Sequence, residues 1–365
     1  MRVPPLVEPV DALPEDERER TARQRVLAGF GEVSQRRLAG AHIAVVGAGG
    51  LGSPVVLALA AAGVGTLTVI DDDEVELSNL QRQVMHRIAD VGSPKVDSAV
   101  RVARELAPHT VVRPIRERLS SADAAQLLAG AHLVIDGSDT FTTREAVASA
   151  CESLGVPLVW GVVQEFHAQV TVFWSDPPAG IEPVVLSDLH APATVGDVPT
   201  CAAVGVLGSL CLQVGSLLAT EAIKLVTGVG EPLLGRVLLV DGLRGTTTAV
   251  ALRPASAAPA PEPPISRLDS LAARAAREAG AVFLDVREPF ETAEGVVPDS
   301  LTIPLAELLA DPRRAGEGPF VVVCRVGARA ERAAFALQAA GIEASVLAGG
   351  IDAWDGAVTR AGVTA

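Results

Sequence analysis

Two stretches of this sequence gather residues whose types and spacing suit chemistry. The first is Gly47-Ala48-Gly49-Gly50-Leu51-Gly52, a G-x-G-x-x-G run. Glycines at this spacing permit a tight turn and a close approach of backbone to phosphate. A helix that follows offers free N–H groups and a partial positive charge. Asp71 stands about 20 residues further on, where an acid can hold ribose hydroxyls. These features indicate an adenine nucleotide and leave open which one. Ser78-Asn79-Leu80-Gln81-Arg82-Gln83 and Gly92-Ser93-Pro94-Lys95-Val96 come next. Hydride transfer has no need of Arg82 and Lys95 beside its nucleotide, whereas a triphosphate must be neutralised. Asp139 offers a carboxylate for a magnesium ion.

The second stretch is Val323-Cys324-Arg325-Val326-Gly327-Ala328-Arg329. It places a cysteine at the end of an apolar run, one short loop ahead of a helical pattern. Successive N–H groups of such a loop converge on the sulfur, and the helix dipole adds to them. Together they suit a thiolate or a persulfide, and Arg325 and Arg329 add positive charge. Cys201 stands just before an uncharged run at 202–219, and a helix N-terminus there raises the reactive thiolate fraction. Cys151 and Cys211 lie inside apolar helical runs and read as core residues.

The elements that must position these residues alternate. Residues 42–47, 66–71, 111–115 and 132–136 read as strands, with helices over 55–62 and 94–106. Residues 157–174 read as further strands. This order predicts an α/β fold with a Rossmann-like, doubly wound sheet. The proline- and alanine-rich segment 253–264 reads as a linker between a domain at 1–252 and a smaller one at 265–365. The smaller domain starts a fresh alternation, with strands at 281–286 and 319–323 and a helix at 328–339. The run 202–219 reaches the lower length limit of a membrane span. Its glycines, serines and Gln213, with Glu221 and Lys224 following, predict a buried core helix instead.

Composition narrows the function classes. The chain has 365 residues, 49% hydrophobic and 20% charged, which suits two domains with sizeable cores. A formal net charge of -14 argues against non-specific nucleic-acid binding, because phosphate contacts need a basic surface. The four cysteines contain no C-x-x-C pair, which points to free thiols in a reducing cytoplasm. The acidic, charged stretch Pro14–Arg20 is unlike a signal peptide.

The segments GAGGLGSPVVLALAAAGVGTLTVIDDDEVELSNLQRQ, GSPK and 204–228 resemble the ubiquitin-activating E1-like adenylyltransferases of molybdopterin and thiamin biosynthesis (the MoeB/ThiF type). The resemblance covers roughly 20–250. It implies that Gly50, Asp71, Asn79, Arg82, Lys95 and Asp139 bind ATP and its Mg²⁺, and that Gly47, Gly49, Gly52, Ser78, Leu80, Gln81 and Thr140 belong to the same nucleotide site. It further implies that Arg23 reaches the phosphates of a partner subunit, hence a homodimer, and that Cys201 attacks an activated acyl group or carries sulfur. Thr140 departs from the asparagine usual after the family aspartate. Many members also hold zinc through two C-x-x-C pairs, and their absence here predicts no zinc. Residues 285–291 (DVREPFE), the Cys324 loop and 347–354 (LAGGIDAW) resemble the rhodanese sulfurtransferases. Cysteine phosphatases of related fold set their arginine six residues after the cysteine. Arg329 is five after Cys324, and the smaller loop favours sulfur. The GVVPDS segment departs from the usual histidine-containing pattern.

Together the two resemblances imply ATP-dependent adenylation of the C-terminal glycine of a small ubiquitin-like sulfur carrier ending in Gly-Gly. A Cys324 persulfide, charged by thiosulfate or a cysteine desulfurase, would then supply sulfur for a thiocarboxylate. A nicotinamide-dependent redox enzyme fused to a sulfurtransferase is the alternative. It predicts no pyrophosphate release, and Arg82 and Lys95 speak against it. A non-catalytic binding module would be expected to have lost these charges.

Overall fold

A computed structural model describes residues 2–189, 205–252 and 265–359. The linker residues and Cys201 lie outside the described residues. The chain divides into two compact units, Met1–Pro259 and Ala260–Ala365.

Valine-, isoleucine- and leucine-rich runs form the centre of the first unit. They are β1 (His42–Val46), β2 (Thr66–Ile70), β4 (Leu133–Asp136) and β5 (Leu158–Gln164), with the largely exposed β3 (Val111–Ile115) at the sheet's edge. Parallel strands covered on both faces need apolar side chains throughout, not alternation. Accordingly Ile43, Val45, Leu67, Val69, Leu133 and Ile135 have no exposed surface. The strand order is β3-β2-β1-β4-β5-β6-β7-β8, where β6 (His167–Phe173), β7 (Arg236–Asp241) and β8 (Thr246–Ala251) extend the sheet antiparallel. Chain order reverses between β1 and β4, and ligands of open α/β sheets bind at such a switch point.

The N-terminal helices are α1 (Glu15–Arg20), α2 (Ala22–Arg25) and α3 (Gly31–Gly40). Helix α4 (Gly52–Ala62) follows the glycine turn and ends at Gly63, which is left-handed at φ 84°. Arg20 Nη1 donates to Ala61 O at 2.6 Å, and Gln35 Nε2 donates to Ala62 O at 2.7 Å. The N-terminal arm therefore satisfies the free carbonyls at the C-terminal end of α4. Helices α5 (Lys95–Leu106), α6 (Ala124–Leu128), α7 (Phe141–Leu154) and α8 (Leu186–Leu189) follow.

Residues 208–219 of the uncharged run belong to α9 (Gly208–Thr227), a helix long and apolar enough to cross a membrane. It packs against α4, β5 and β6, and Val214, Leu218 and Ala222 are fully buried. The helix starts later and ends later than the uncharged run. Glu221 does not stop it, because its carboxylate binds Lys224 Nζ and accepts the Leu233 N–H at 2.8 Å. A buried charge is tolerated when it is paired.

The second unit has its own sheet, in the order β11-β10-β12-β13-β9 and parallel throughout. Its strands are β9 (Arg267–Leu268), β10 (Val282–Asp285), β11 (Leu301–Thr302), β12 (Phe320–Val323) and β13 (Ala344–Leu347). Its helices are α10 (Ser270–Glu278), α11 (Pro289–Thr292), α12 (Leu305–Ala310) and α13 (Ala328–Ala339). Val321, Val322 and Val323 are fully buried, and Cys324 follows them at the strand's end.

Candidate active site

A cleft of about 800 Å³ opens at the switch point between β1 and β4. Its floor is the glycine turn. Gly47 sits at φ 90°, and a Cβ there would lie 2.9 Å from Gly137 O. A Cβ on Gly52 would lie 1.8 Å from Gly47 O, so α4 starts in direct backbone contact with the turn. Only glycine fits either position. Ala48 is held from both sides. Its N–H donates to Asp71 Oδ2 at 2.7 Å, and its carbonyl accepts from Ser53 Oγ at 3.2 Å and lies 3.0 Å from His86 Nε2. Asp71 Oδ1 accepts the Asp73 N–H at 2.9 Å. Burial raises the Asp71 carboxyl above its ordinary range, and Lys95 opposes that rise.

The segment after β2 doubles back through bonds from Val75 N–H to Ser93 O and from Gly92 N–H to Val75 O, both 2.9 Å. That return places Lys95 at the first position of α5 and at the cleft wall. Lys95 is buried, and its Nζ lies 2.7 Å from Asp73 Oδ2. Arg82 crosses the glycine turn, with its Cδ 3.7 Å from where a Gly50 Cβ would stand. Its Nη1 donates to Ser78 O at 3.2 Å. Both cations line the cleft, each tethered from behind by one of these bonds.

Carboxylates are the donors for a hard divalent cation. Asp71, Asp72 and Asp73 bring oxygens within 4.8 Å of one another. Each is already engaged: Asp71 by backbone N–H groups, Asp72 by Arg118 at 3.0 Å, Asp73 by Lys95. Asp139, on the turn after β4, is exposed on the cleft wall. Its chemistry fits a metal that also binds phosphate oxygens.

In the second unit Cys324 is 1% exposed, and the Gly327 N–H donates to its Sγ at 3.0 Å. Gly327 adopts φ 115° and starts α13, so that helix's N-terminus faces the loop. A Cβ on Gly350 would stand 2.3 Å from Arg325 O, and the Ile351 N–H donates to Cys324 O at 2.8 Å. The GGI segment after β13 thus props the loop from below. Arg329 makes a two-point ion pair with Glu291, at 2.6 and 2.7 Å. Glu291 holds the guanidinium pKa above its usual value, and Cys324 adds to that. Arg287 binds Asp285 and the Gly295 carbonyl below, all buried. Arg325 and Val326 face outward, 63% and 60% exposed.

Comparison with known proteins bears on both units. The ThiF family model matches residues 21–260, and the rhodanese-like domain model matches residues 268–357. The chain belongs to the ThiF family. A probable adenylyltransferase/sulfurtransferase MoeZ of Mycobacterium tuberculosis is 38% identical over 96% of either chain. The SAMP-activating enzyme E1 of Haloferax volcanii is 42% identical over 64% of this chain and 85% of its own. A sulfur carrier protein adenylyltransferase of Thermus thermophilus is 42% identical over 65% of this chain and 88% of its own. In fold the chain is similar to E. coli MccB, with a TM-score of 0.58 and 18% identity over 68% of this chain and 72% of that one. This chain is an enzyme: an adenylyltransferase that uses ATP, joined to a sulfurtransferase.

The ThiF-family cleft gathers Gly47, Gly49, Gly50, Asp71, Arg82 and Lys95, with Asp139 and Thr140 on the opposite wall. Gly52 supports the turn from inside α4. Ser78, Asn79, Leu80 and Gln81 do not line the cleft. Asn79 instead closes a short 3₁₀ turn with Glu76, and so holds the segment that carries Arg82. Arg23 is exposed on α2 and does not line its own cleft. In the rhodanese-like unit Cys324, Arg325, Val326, Gly327, Ala328 and Arg329 form one loop and helix start.

Three participants escaped the sequence reading. Cys211 is buried as expected but also borders the cleft, its Sγ 3.2 Å from a would-be Gly50 Cβ. Glu291 lies inside the DVREPFE run, yet its pairing with Arg329 spans 38 residues. Arg144 lines the cleft from α7, where it is the one buried residue among the first five of the helix, and nothing in the local sequence signalled that.

Proposed function

We propose that the ThiF-family cleft adenylates the C-terminal glycine of a small sulfur-carrier protein, and that Cys324 supplies sulfur to the product. The observation that carries this reading is the pairing of Arg82 and Lys95 over a glycine turn, in one chain with a buried cysteine under a helix N-terminus. The names of the Thermus and Haloferax relatives agree with that class of partner.

A carboxylate acylates poorly because its leaving group would be oxide. Attack of a carboxylate oxygen on the α-phosphorus of ATP expels pyrophosphate and leaves an acyl-adenylate, whose leaving group is AMP. Catalysis of this step is positioning and charge neutralisation. The glycine turn and the α4 N-terminus cradle phosphate, Asp71 holds ribose, and Arg82 and Lys95 face the negative charge. Lys95 exchanges its Asp73 partner for phosphate when the nucleotide enters. A magnesium ion at Asp139 would neutralise phosphate oxygens. The terminal sulfur of a Cys324 persulfide then attacks the acyl carbon and AMP leaves. A second thiol attacks Cys324 Sγ, releases the thiocarboxylate and leaves a disulfide for a cellular reductant to reopen. Cys201, or a thiol of the carrier, is the resolving group. Thiosulfate or a cysteine desulfurase loads the sulfur, and a reducing cytoplasm suits this thiol chemistry.

Homodimerisation belongs to the same reading. The arm that bears Arg23 is bonded to Ala61 and Ala62, at the far end of an 11-residue helix from the glycine turn. That is about 16 Å of helix. Arg23 therefore suits the cleft of a second copy.

The test is ATP–pyrophosphate exchange with Gly-Gly-tailed carriers, together with mass analysis of the carrier's C-terminus. Lys95→Ala lowers exchange by about 10²-fold or more, the usual cost of removing a charge-stabilising donor. Cys324→Ala leaves exchange intact and abolishes thiocarboxylate. Loss of exchange in a folded Cys324→Ala variant would overturn this division of labour.

A further inference from the structure

We infer that Arg144 is a positioning residue of the cleft, which sets the direction of Asp139 through the peptide joining it to Ser138. The inference rests on the reading of Asp139 as a nucleotide- or metal-binding acid.

Asp139 sits on a turn whose neighbours are gripped one by one. Asp136 ends β4 with no exposed surface, and its Oδ1 accepts the Ser138 N–H at 2.9 Å. Arg144, 7% exposed in the first turns of α7, donates from Nη2 to Ser138 O at 3.0 Å. Both main-chain groups of Ser138 are thus taken by buried charged side chains. A trans peptide is planar, with C=O and N–H opposed. Fixing the Ser138 carbonyl therefore fixes the N–H of Asp139 and the line from which its side chain departs. The other flank is fixed as well, because Thr140 Oγ1 accepts the Thr143 N–H at 3.3 Å as the α7 cap.

The guanidinium has a rigid backing. Its carbon lies 6.0 Å from the ring centroid of Trp160, which is 1% exposed on β5. A planar fork held this way transmits direction, which a lysine ammonium on a flexible stem does not. Among the described residues Asp136 and Arg144 form no direct ion pair, and each binds Ser138 instead. Arg144 Nε is buried with no protein hydrogen-bond partner. A clamp built for stability alone would satisfy that atom, since a buried unpaired polar group costs free energy. Its presence at the cleft edge marks a turn held for its geometry.

The experiment is a double-mutant cycle on the full chain. Arg144→Gln and Arg144→Lys are made with Asp139 intact and in an Asp139→Asn background. Binding of a non-hydrolysable ATP analogue with magnesium is measured by calorimetry, and folding by thermal unfolding. Arg144→Gln should weaken binding about tenfold with Asp139 intact and less than about twofold in the Asp139→Asn background, the non-additivity of residues acting as one unit. Arg144→Lys should fall between, and it serves the same comparison if the glutamine variant does not fold. Equal losses in both backgrounds overturn the inference while leaving Asp139 in its role. An Asp139→Asn variant that binds the analogue like the parent overturns the reading of Asp139 and the inference with it.

Discussion

At the scale of single residues, the glycine turn makes a graded claim about space. A methyl at Gly52 meets the Gly47 carbonyl at 1.8 Å, and neither backbone can withdraw without moving α4 from β1. Gly52→Ala should cost about 3 kcal/mol or more, at the upper end of overpacking, in chemical denaturation of the first unit. A methyl at Gly50 meets the Cys211 side chain, its sulfur at 3.2 Å and its Cβ at 3.6 Å, and Arg82 Cδ at 3.7 Å. Gly50→Ala should stay within about 1 kcal/mol of the parent in the same denaturation, because a side-chain end can shift. It should weaken nucleotide binding nonetheless, since the added methyl stands on the turn where the backbone must approach phosphate. These two glycines look alike in the G-x-G-x-x-G run. Their difference lies in what stands 1.8 or 3.2 Å away, a backbone carbonyl in one case and a side chain of α9 in the other.

At the scale of elements, helix starts and the pairs between them carry the site. Thr140 caps α7 through the Thr143 N–H. Thr140→Ala should destabilise by about 1 kcal/mol, whereas Thr140→Asn should keep both stability and exchange activity, because asparagine caps equally well. Thermal unfolding and pyrophosphate exchange separate the two. In the second unit the Glu291–Arg329 pair ties α11 to α13 and sets the rim of the cysteine loop. Arg329 holds the Glu291 carboxyl below its ordinary range. A depressed carboxylate stabilises the fold above its unfolded pKa of about 4.3, and that contribution is lost as pH falls through the folded value. Acid titration of the second unit should therefore stay flat down to about pH 4.5 and decline below it. Glu291→Gln should flatten that decline and cost about 1–2 kcal/mol at neutral pH, since it leaves Arg329 without its charged partner. The helix over 328–339 and most strands were legible in the pattern of apolar residues. The extent of α9 was not, because the uncharged run marked a core helix without marking its ends; Glu221 lies inside the helix through its pairing with Lys224 and with the Leu233 N–H.

At the scale of the whole molecule, two units with separate sheets house two chemistries, and subunit mixing tests how many chains build one cleft. If Arg23 serves a second copy, Arg23→Ala and Lys95→Ala proteins are each inactive alone. Mixed after dissociation and reassociation, they should recover roughly a quarter of parental exchange, because half the dimers are hybrids with one intact cleft of two. No recovery in verified hybrids would mean that Arg23 works in its own chain or not at all. The order of chemistry along the chain was written in local signals: a glycine turn after a strand, cations after the second strand, a cysteine before a helix. Such signals survive without coordinates because turns, helix starts and buried strands depend on near neighbours in sequence. Partnership did not survive in this way. That Lys95 waits on Asp73, that Arg329 is held by Glu291, and that Arg144 grips the turn before Asp139 were settled only by the tertiary structure. Each joins side chains whose proximity is set by how separate elements pack, and packing distances between elements are not encoded in the spacing of residues along one of them.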